Sequence, residues 1–175
     1  KIPTFSVRYK ANRGIGSLLQ RTILLGDPVS NEGTNINRKG FAFVGWNVER
    51  ASDSTVLCVN KTDANDKKWL TATEMGEAYI PYLFAMDETA TDLTSVIGDT
   101  VTFSAQWKMY ADATGDEKLT IADALAIRLY AAGYYPIDEA ELPYMDVNRD
   151  GVVNTADAQV IIAYLGDAIF KIPTE

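Results

Sequence analysis

Apolar and polar residues alternate with a period of two along several stretches of the first 108 residues. Phe5, Val7 and Tyr9 alternate with Ser6, Arg8 and Lys10, which predicts a half-buried strand over Phe5–Ala11. Asn12, Arg13, Gly14 and Gly16 then supply a turn. Ile23–Leu25 before Gly26–Asp27–Pro28, and Phe41–Trp46, read as further strands. Val101–Trp107 alternates cleanly and closes the segment. Between Asp63 and Met86 the pattern is weaker. Thr71 opens a short helix there as N-cap, with Glu74 at the capping-box position. Tyr79–Phe84 reads as an edge strand, because Pro81 cannot donate to a ladder.

Residues 119–132 and 155–166 follow a different period. Ala124, Ile127 and Ala131 recur at i, i+3, i+7, and so do Ala158, Ile161 and Leu165, which predicts two helices with apolar stripes. Pro143 is expected to break any helix near its end in the stretch before the second of them. The period changes near Lys108–Ala111 with no long linker, so two domains are predicted, 1–108 and 109–175. The class is α+β: a mainly-β module followed by an α-helical one.

An internal repeat with an offset of 34 residues runs through the second domain. Asp112 to Asp123 aligns with Asp146 to Asp157, and acids stand at positions 1, 5 and 12 of both twelve-residue stretches. That is the spacing of an EF-hand calcium loop, which gathers side-chain oxygens from positions 1, 3, 5 and 12 and the backbone carbonyl of 7 around one point. The candidate ligands of loop one are Asp112, Thr114, Asp116, the carbonyl of Lys118, and Asp123. Those of loop two are Asp146, Asn148, Asp150, the carbonyl of Val152, and Asp157. Two calcium ions are therefore expected. Gly151 supplies the turn at position 6 of loop two, whereas loop one has Glu117 there, which predicts a strained and weaker site. Position 8 is apolar in both, Leu119 and Val153, as expected of residues that pack paired loops together.

Charge agrees with this division. Of a net −8, residues 1–108 contribute nothing, with 12 basic and 12 acidic residues, and 109–175 contribute all of it, with 4 basic and 12 acidic. Such a surface disfavours nucleic acid and anionic lipid, and no apolar run reaches the length of a membrane helix. Histidine is absent and Cys58 is the single cysteine, which excludes an intramolecular disulfide and argues against a thiolate zinc site. The acids are accounted for by calcium and not by a hydrolytic carboxylate pair, so the chain is read as a binding protein and not an enzyme. It starts at Lys1 without an initiating Met or a signal peptide, which predicts a piece of a larger protein.

In each unit the loop is followed by a helix, and no full helix is expected before it. This duplicated half-motif over 109–170, with Gly115–Asp116 and the run Asp146–Asn154, resembles dockerin. The resemblance implies two F-hand calcium loop–helix units. It also implies binding to a cohesin domain, of a scaffoldin or a cell-surface anchoring protein, and assembly into an extracellular bacterial cellulosome that degrades polysaccharide. The partner-binding residues it implies are Ile121, Ala122, Leu125, Arg128 and Leu129 in the first unit, and Thr155, Ala156, Gln159, Ile162 and Ala163 in the second. The two sets differ in chemistry, which predicts one binding orientation. Residues 1–108 resemble the β-grasp repeats of the internalin B-repeat type, through Gly40–Trp46 and Phe103–Trp107, and by position an X-type module. The alternative function is a carbohydrate-binding or adhesive surface module with a structural calcium domain. Trp46, Trp69 and Trp107 would line its sugar platform, although burial suits tryptophan better.

Overall fold

The structure is a computed structural model that describes residues 2–18, 20–30, 35–169 and 171–174. The chain divides into two compact units, Lys1–Arg38 with Phe43–Trp107, and Lys39–Ala42 with Lys108–Glu175.

The described strands are β1 (Thr4–Lys10), β2 (Ile15–Ser17), β3 (Gln20–Leu24), β4 (Val29–Ser30), β5 (Asn35–Asn37), β6 (Phe41–Arg50), β7 (Thr55–Asn60), β8 (Asp63–Leu70), β9 (Tyr79–Pro81), β10 (Thr89–Ala90) and β11 (Thr100–Met109). The main sheet runs β3-β1-β11-β6-β7-β8, with β9 also on β7. β1 and β11 pair in parallel, Val7 opposite Val101 and Tyr9 opposite Phe103, while β1–β3, β6–β7 and β7–β8 are antiparallel. The alternation predicted for the first strand is seen directly: Phe5, Val7 and Tyr9 are buried, and Trp46, Val101, Phe103 and Ala105 share their core. Gly45, at φ 144°, lets β6 approach Leu83 and Phe84. A Cβ there would stand 2.9 Å from the Phe84 carbonyl oxygen, beside the Trp46–Phe84 bridge.

The hairpin β7–β8 is not visible in the residue pattern. Its second strand reads Asp-Ala-Asn-Asp-Lys-Lys-Trp-Leu and is mostly exposed, so no period-2 contrast marks it. β9 lies where the proline argument places an edge strand, with Pro81 opposite Cys58. The short helix α1 (Ala72–Met75) has the expected capping box between Thr71 and Glu74. Asp99, 6% exposed, ties this unit together by accepting from Ser52 N (2.9 Å), Ser52 Oγ (2.8 Å), Thr94 Oγ1 (2.7 Å) and Thr100 N (2.7 Å). Burial opposes its ionisation, but these donors outweigh burial and hold its carboxyl below the usual carboxylate range.

In the second unit α2 (Ile121–Ala131) and α4 (Thr155–Leu165) pack against each other. Their core contains Ala111, Ala124, Ile127, Met145, Val147, Ala158, Ile161 and Ile172, with Leu119 and Val153 packed against it. The apolar stripes are shorter than the period suggests. Ala131 is exposed and Leu165 is 40% exposed, while Tyr164 packs against the core in the last turn of α4. Pro143 also acts differently from expectation. It lies in the first turn of a short helix, α3 (Leu142–Met145), entered from a 3-10 turn at Glu139–Glu141. A first-turn residue has no intrahelical acceptor for its N–H, so proline starts this helix where it was expected to end one.

Candidate calcium loops and partner face

Loop one, residues 112–123, curls around its first acid. Asp112 accepts from the backbone N–H groups of Gly115 (2.8 Å), Asp116 (3.1 Å) and Glu117 (3.0 Å). Asp116 accepts from Lys118 N at 2.9 Å. Loop two repeats the scheme. Asp146 accepts from Asp150 N (3.1 Å) and Gly151 N (2.9 Å), and Asp150 accepts from Val152 N at 2.9 Å. The acids at positions 1 and 5 thus set the turn that brings later residues back toward them.

The acids at position 12 do two jobs. Asp123 and Asp157 are fully buried. Each closes a capping box at the start of its helix, Thr120 with Asp123 and Asn154 with Asp157. Asp123 Oδ2 accepts from Thr120 N at 2.8 Å, and its Oδ1 accepts from Thr114 N (3.1 Å) and Thr114 Oγ1 (2.8 Å). Asp157 Oδ2 accepts from Asn154 N at 2.9 Å, and its Oδ1 from Val147 N (2.9 Å) and Asn148 N (3.2 Å). The residue at position 12 therefore bolts the start of the loop to the start of the exit helix. The signal for this was present in the sequence as Thr-x-x-Asp and Asn-x-x-Asp, with Asp in place of the usual Glu or Gln.

Backbone strain is shared between the loops in a way the position-6 argument misses. Positions 4 and 6 are both left-handed in both loops: Gly115 (φ 75°) and Glu117 (φ 59°) in the first, Arg149 (φ 60°) and Gly151 (φ 87°) in the second. Each loop has one glycine and one non-glycine at these two places. Glu117 is strained as expected, but Arg149 is strained equally, so strain does not rank loop one below loop two.

The donor set of both loops is oxygen only, which suits a hard cation and not a soft one. Among the described residues no Lys or Arg is ion-paired to any of the six loop aspartates. Two buried carboxylates without a cationic partner are costly, and a bound cation would offset that cost. Among the described residues no three Asp, Glu, His or Cys side chains gather into a metal cluster by themselves.

Beyond the loops, α2 carries an exposed apolar row. Ile121, Leu125 and Leu129 are 62%, 56% and 37% exposed at i, i+4, i+8, with Ala122 and Arg128 exposed beside them. α4 exposes Thr155, Gln159 and Ile162, while Ala156 and Ala163 are half-buried. Neither Leu125 nor Leu129 joins the core of this unit. Residues 110–166 match the family model of the dockerin type I domain. The C-terminal region is a dockerin, preceded by a β-rich region. Dockerins are non-catalytic, calcium-binding, EF-hand-like modules that bind cohesin domains in cellulosome-type assembly. Comparison with curated proteins and with solved structures returns no match. Among the described residues no helix is long and apolar enough to cross a membrane.

The tryptophans of the β unit offer little to a sugar. Trp46 is fully buried. The Trp107 indole N–H donates to the Ala11 carbonyl at 2.8 Å, and its ring packs edge-on against Phe43. The Arg50 guanidinium covers the Trp69 ring, 4.2 Å from its centroid.

Proposed function

We propose that this chain is a cohesin-binding adaptor that anchors its parent extracellular bacterial protein in a cellulosome-like, polysaccharide-degrading complex. Two calcium ions would be held, one by Asp112, Thr114, Asp116, the Lys118 carbonyl and Asp123. The other would be held by Asp146, Asn148, Asp150, the Val152 carbonyl and Asp157. Calcium supplies positive charge to two buried carboxylates, and so makes metal binding part of the folding free energy. The chain's own contribution is to fix each exit helix against its loop through Asp123 and Asp157. The cohesin, of a scaffoldin or a cell-surface anchoring protein, would dock on Ile121, Ala122, Leu125, Arg128 and Leu129, and on Thr155, Ala156, Gln159, Ile162 and Ala163. Residues 109–175 would form the binding module, and 1–108 an X-type spacer. The parallel pairing of that module's first and last long strands supports its β-grasp-like reading.

The observation that carries this reading is the repeated bolt, a buried Asp at position 12 joining loop to helix in both units. The test is capture of the chain on a panel of immobilised cohesins, with calcium and with a chelator. Capture by at least one cohesin, lost on chelation, is expected. Capture that survives full removal of calcium would overturn the coupling of metal to recognition.

A further inference from the structure

Residues beyond α4 turn back onto the start of loop two. Ile172 is 4% exposed and joins the core that contains Ala111, Met145 and Val147, and Pro173 is buried beside it in sequence. Thr174 then donates to the Val147 carbonyl twice, from its backbone N–H at 2.8 Å and from its hydroxyl at 3.2 Å. Val147 is position 2 of loop two, and its own N–H donates to Asp157 Oδ1 at 2.9 Å. The tail and the last acid of the loop therefore grip the same residue, one by its carbonyl and one by its N–H. Loop one is built differently at the equivalent place. The Ala113 carbonyl accepts from the Tyr135 hydroxyl at 3.4 Å, a longer bond, although Ala113 N donates to the Ala111 carbonyl just as Val147 N also donates to that of Met145. The tail lies outside the stretch that matches the dockerin family. The same tetrapeptide, Lys-Ile-Pro-Thr, also opens the chain, and there Ile2 is 70% exposed. The burial of Ile172 thus comes from its docking and not from the tetrapeptide itself.

We propose that Ile172 and Thr174 are positioning residues for loop two, which set the calcium affinity of that loop and leave loop one alone. The proposal rests on the calcium reading of loop two given above. The physical reason is preorganisation. A Val147 held from both sides keeps Asp146 and Asn148 close to their bound arrangement, so less ordering remains to be paid for on binding. Without the tail, residues 146–148 sample more conformations before the ion arrives.

The test titrates calcium into the full chain by calorimetry in two backgrounds. Asp112→Ala with Asp116→Ala leaves loop two to be read alone, and Asp146→Ala with Asp150→Ala leaves loop one. Thr174→Pro removes both donors to Val147. It should weaken calcium at loop two about five- to ten-fold and leave loop one within roughly two-fold. Thr174→Ser, which keeps N–H and hydroxyl, should restore loop two. Thr174→Val keeps only the N–H and should lose about two- to three-fold; it carries the test together with Thr174→Ser if the proline variant fails to fold. Unchanged affinity at loop two, or equal losses at both loops, would overturn the proposal, the second outcome marking the tail as a general stabiliser. A loop two that takes no calcium even with the natural tail would sink the calcium reading, and the proposal with it.

Discussion

The two loops of the dockerin arrive at one geometry from different residues. Loop one places glycine at position 4 and glutamate at position 6; loop two places arginine at 4 and glycine at 6. Loop one carries four acids and one base, and loop two three acids and one base. Thr114 donates its hydroxyl to the position-12 acid, whereas Asn148 stays with Asp150, accepting from its N–H at 2.9 Å. Departures from a motif cannot therefore be scored one position at a time. A glutamate at position 6 looks like damage until position 4 is seen to need the same left-handed backbone. With both loops left-handed at positions 4 and 6, backbone strain gives no reason to rank loop one below loop two.

The harshest challenge to that equality is metal removal. Asp146→Ala with Asp157→Ala, and equally Asp112→Ala with Asp123→Ala, should each cost more than about a hundred-fold in cohesin affinity, because each frees an exit helix from its loop. Surface plasmon resonance on an immobilised cohesin measures both. A loop-one pair that binds normally would restore the view that loop one is degenerate. Calorimetry of the unaltered chain should give two ions, and a single ion would do the same.

A third buried aspartate sharpens the contrast from outside the loops. Asp99 accepts from four protein donors, as Asp123 does, but it stands outside the acid-rich loops. Asp99→Ala should destabilise the β unit by about 2–3 kcal/mol by stranding those donors, read by chemical denaturation. Because its folded pKa is depressed, its stabilisation is complete above the unfolded value, about 3.9, and is lost as pH falls through the folded value. The acid transition of this unit should be the same with and without chelator, whereas that of the dockerin should move.

Where the helices are compared in place of the loops, equality ends. Leu125 and Leu129 are exposed on α2, and Gln159 and Ala163 stand at the matching places on α4. An internal two-fold rotation would bury the Gln159 amide where a leucine had been, at about 1–3 kcal/mol. Leu125→Ala with Leu129→Ala and Gln159→Ala with Ile162→Ala should give unequal losses, the larger about ten- to hundred-fold. Two harmless pairs with a lethal combination would mean two orientations.

The smallest effect tests the strain directly. Glu117→Gly and Arg149→Gly should each stabilise the calcium-loaded dockerin, by up to about 1 kcal/mol and by similar amounts, in thermal melts. A gain for Glu117→Gly alone would show that the loops are strained unequally after all.

The sequence by itself determined the division into two grammars, the repeat and its acids, because calcium spacing and helical period are local in the chain. The strand expected over Phe5–Ala11, seen as Thr4–Lys10, was legible because its alternation is written in its own residues, although its partners β3 and β11 lie far along the chain. The capping box at Thr71 was legible because Glu74 is three residues away. The hairpin β7–β8 was not, since its exposed polar second strand is held by cross-strand pairing, which leaves no period in the residues. Pro143 misled because proline ends one helix and starts another, and only the 3-10 turn before it decides which. The tertiary structure alone decided that Ile172–Thr174 folds back onto Val147. Nothing in Lys-Ile-Pro-Thr distinguishes the copy at residues 171–174 from the copy at the start of the chain. What differs is the core that Ile172 enters, with Ala111 and Met145, and that core exists only once residues some sixty positions apart have met.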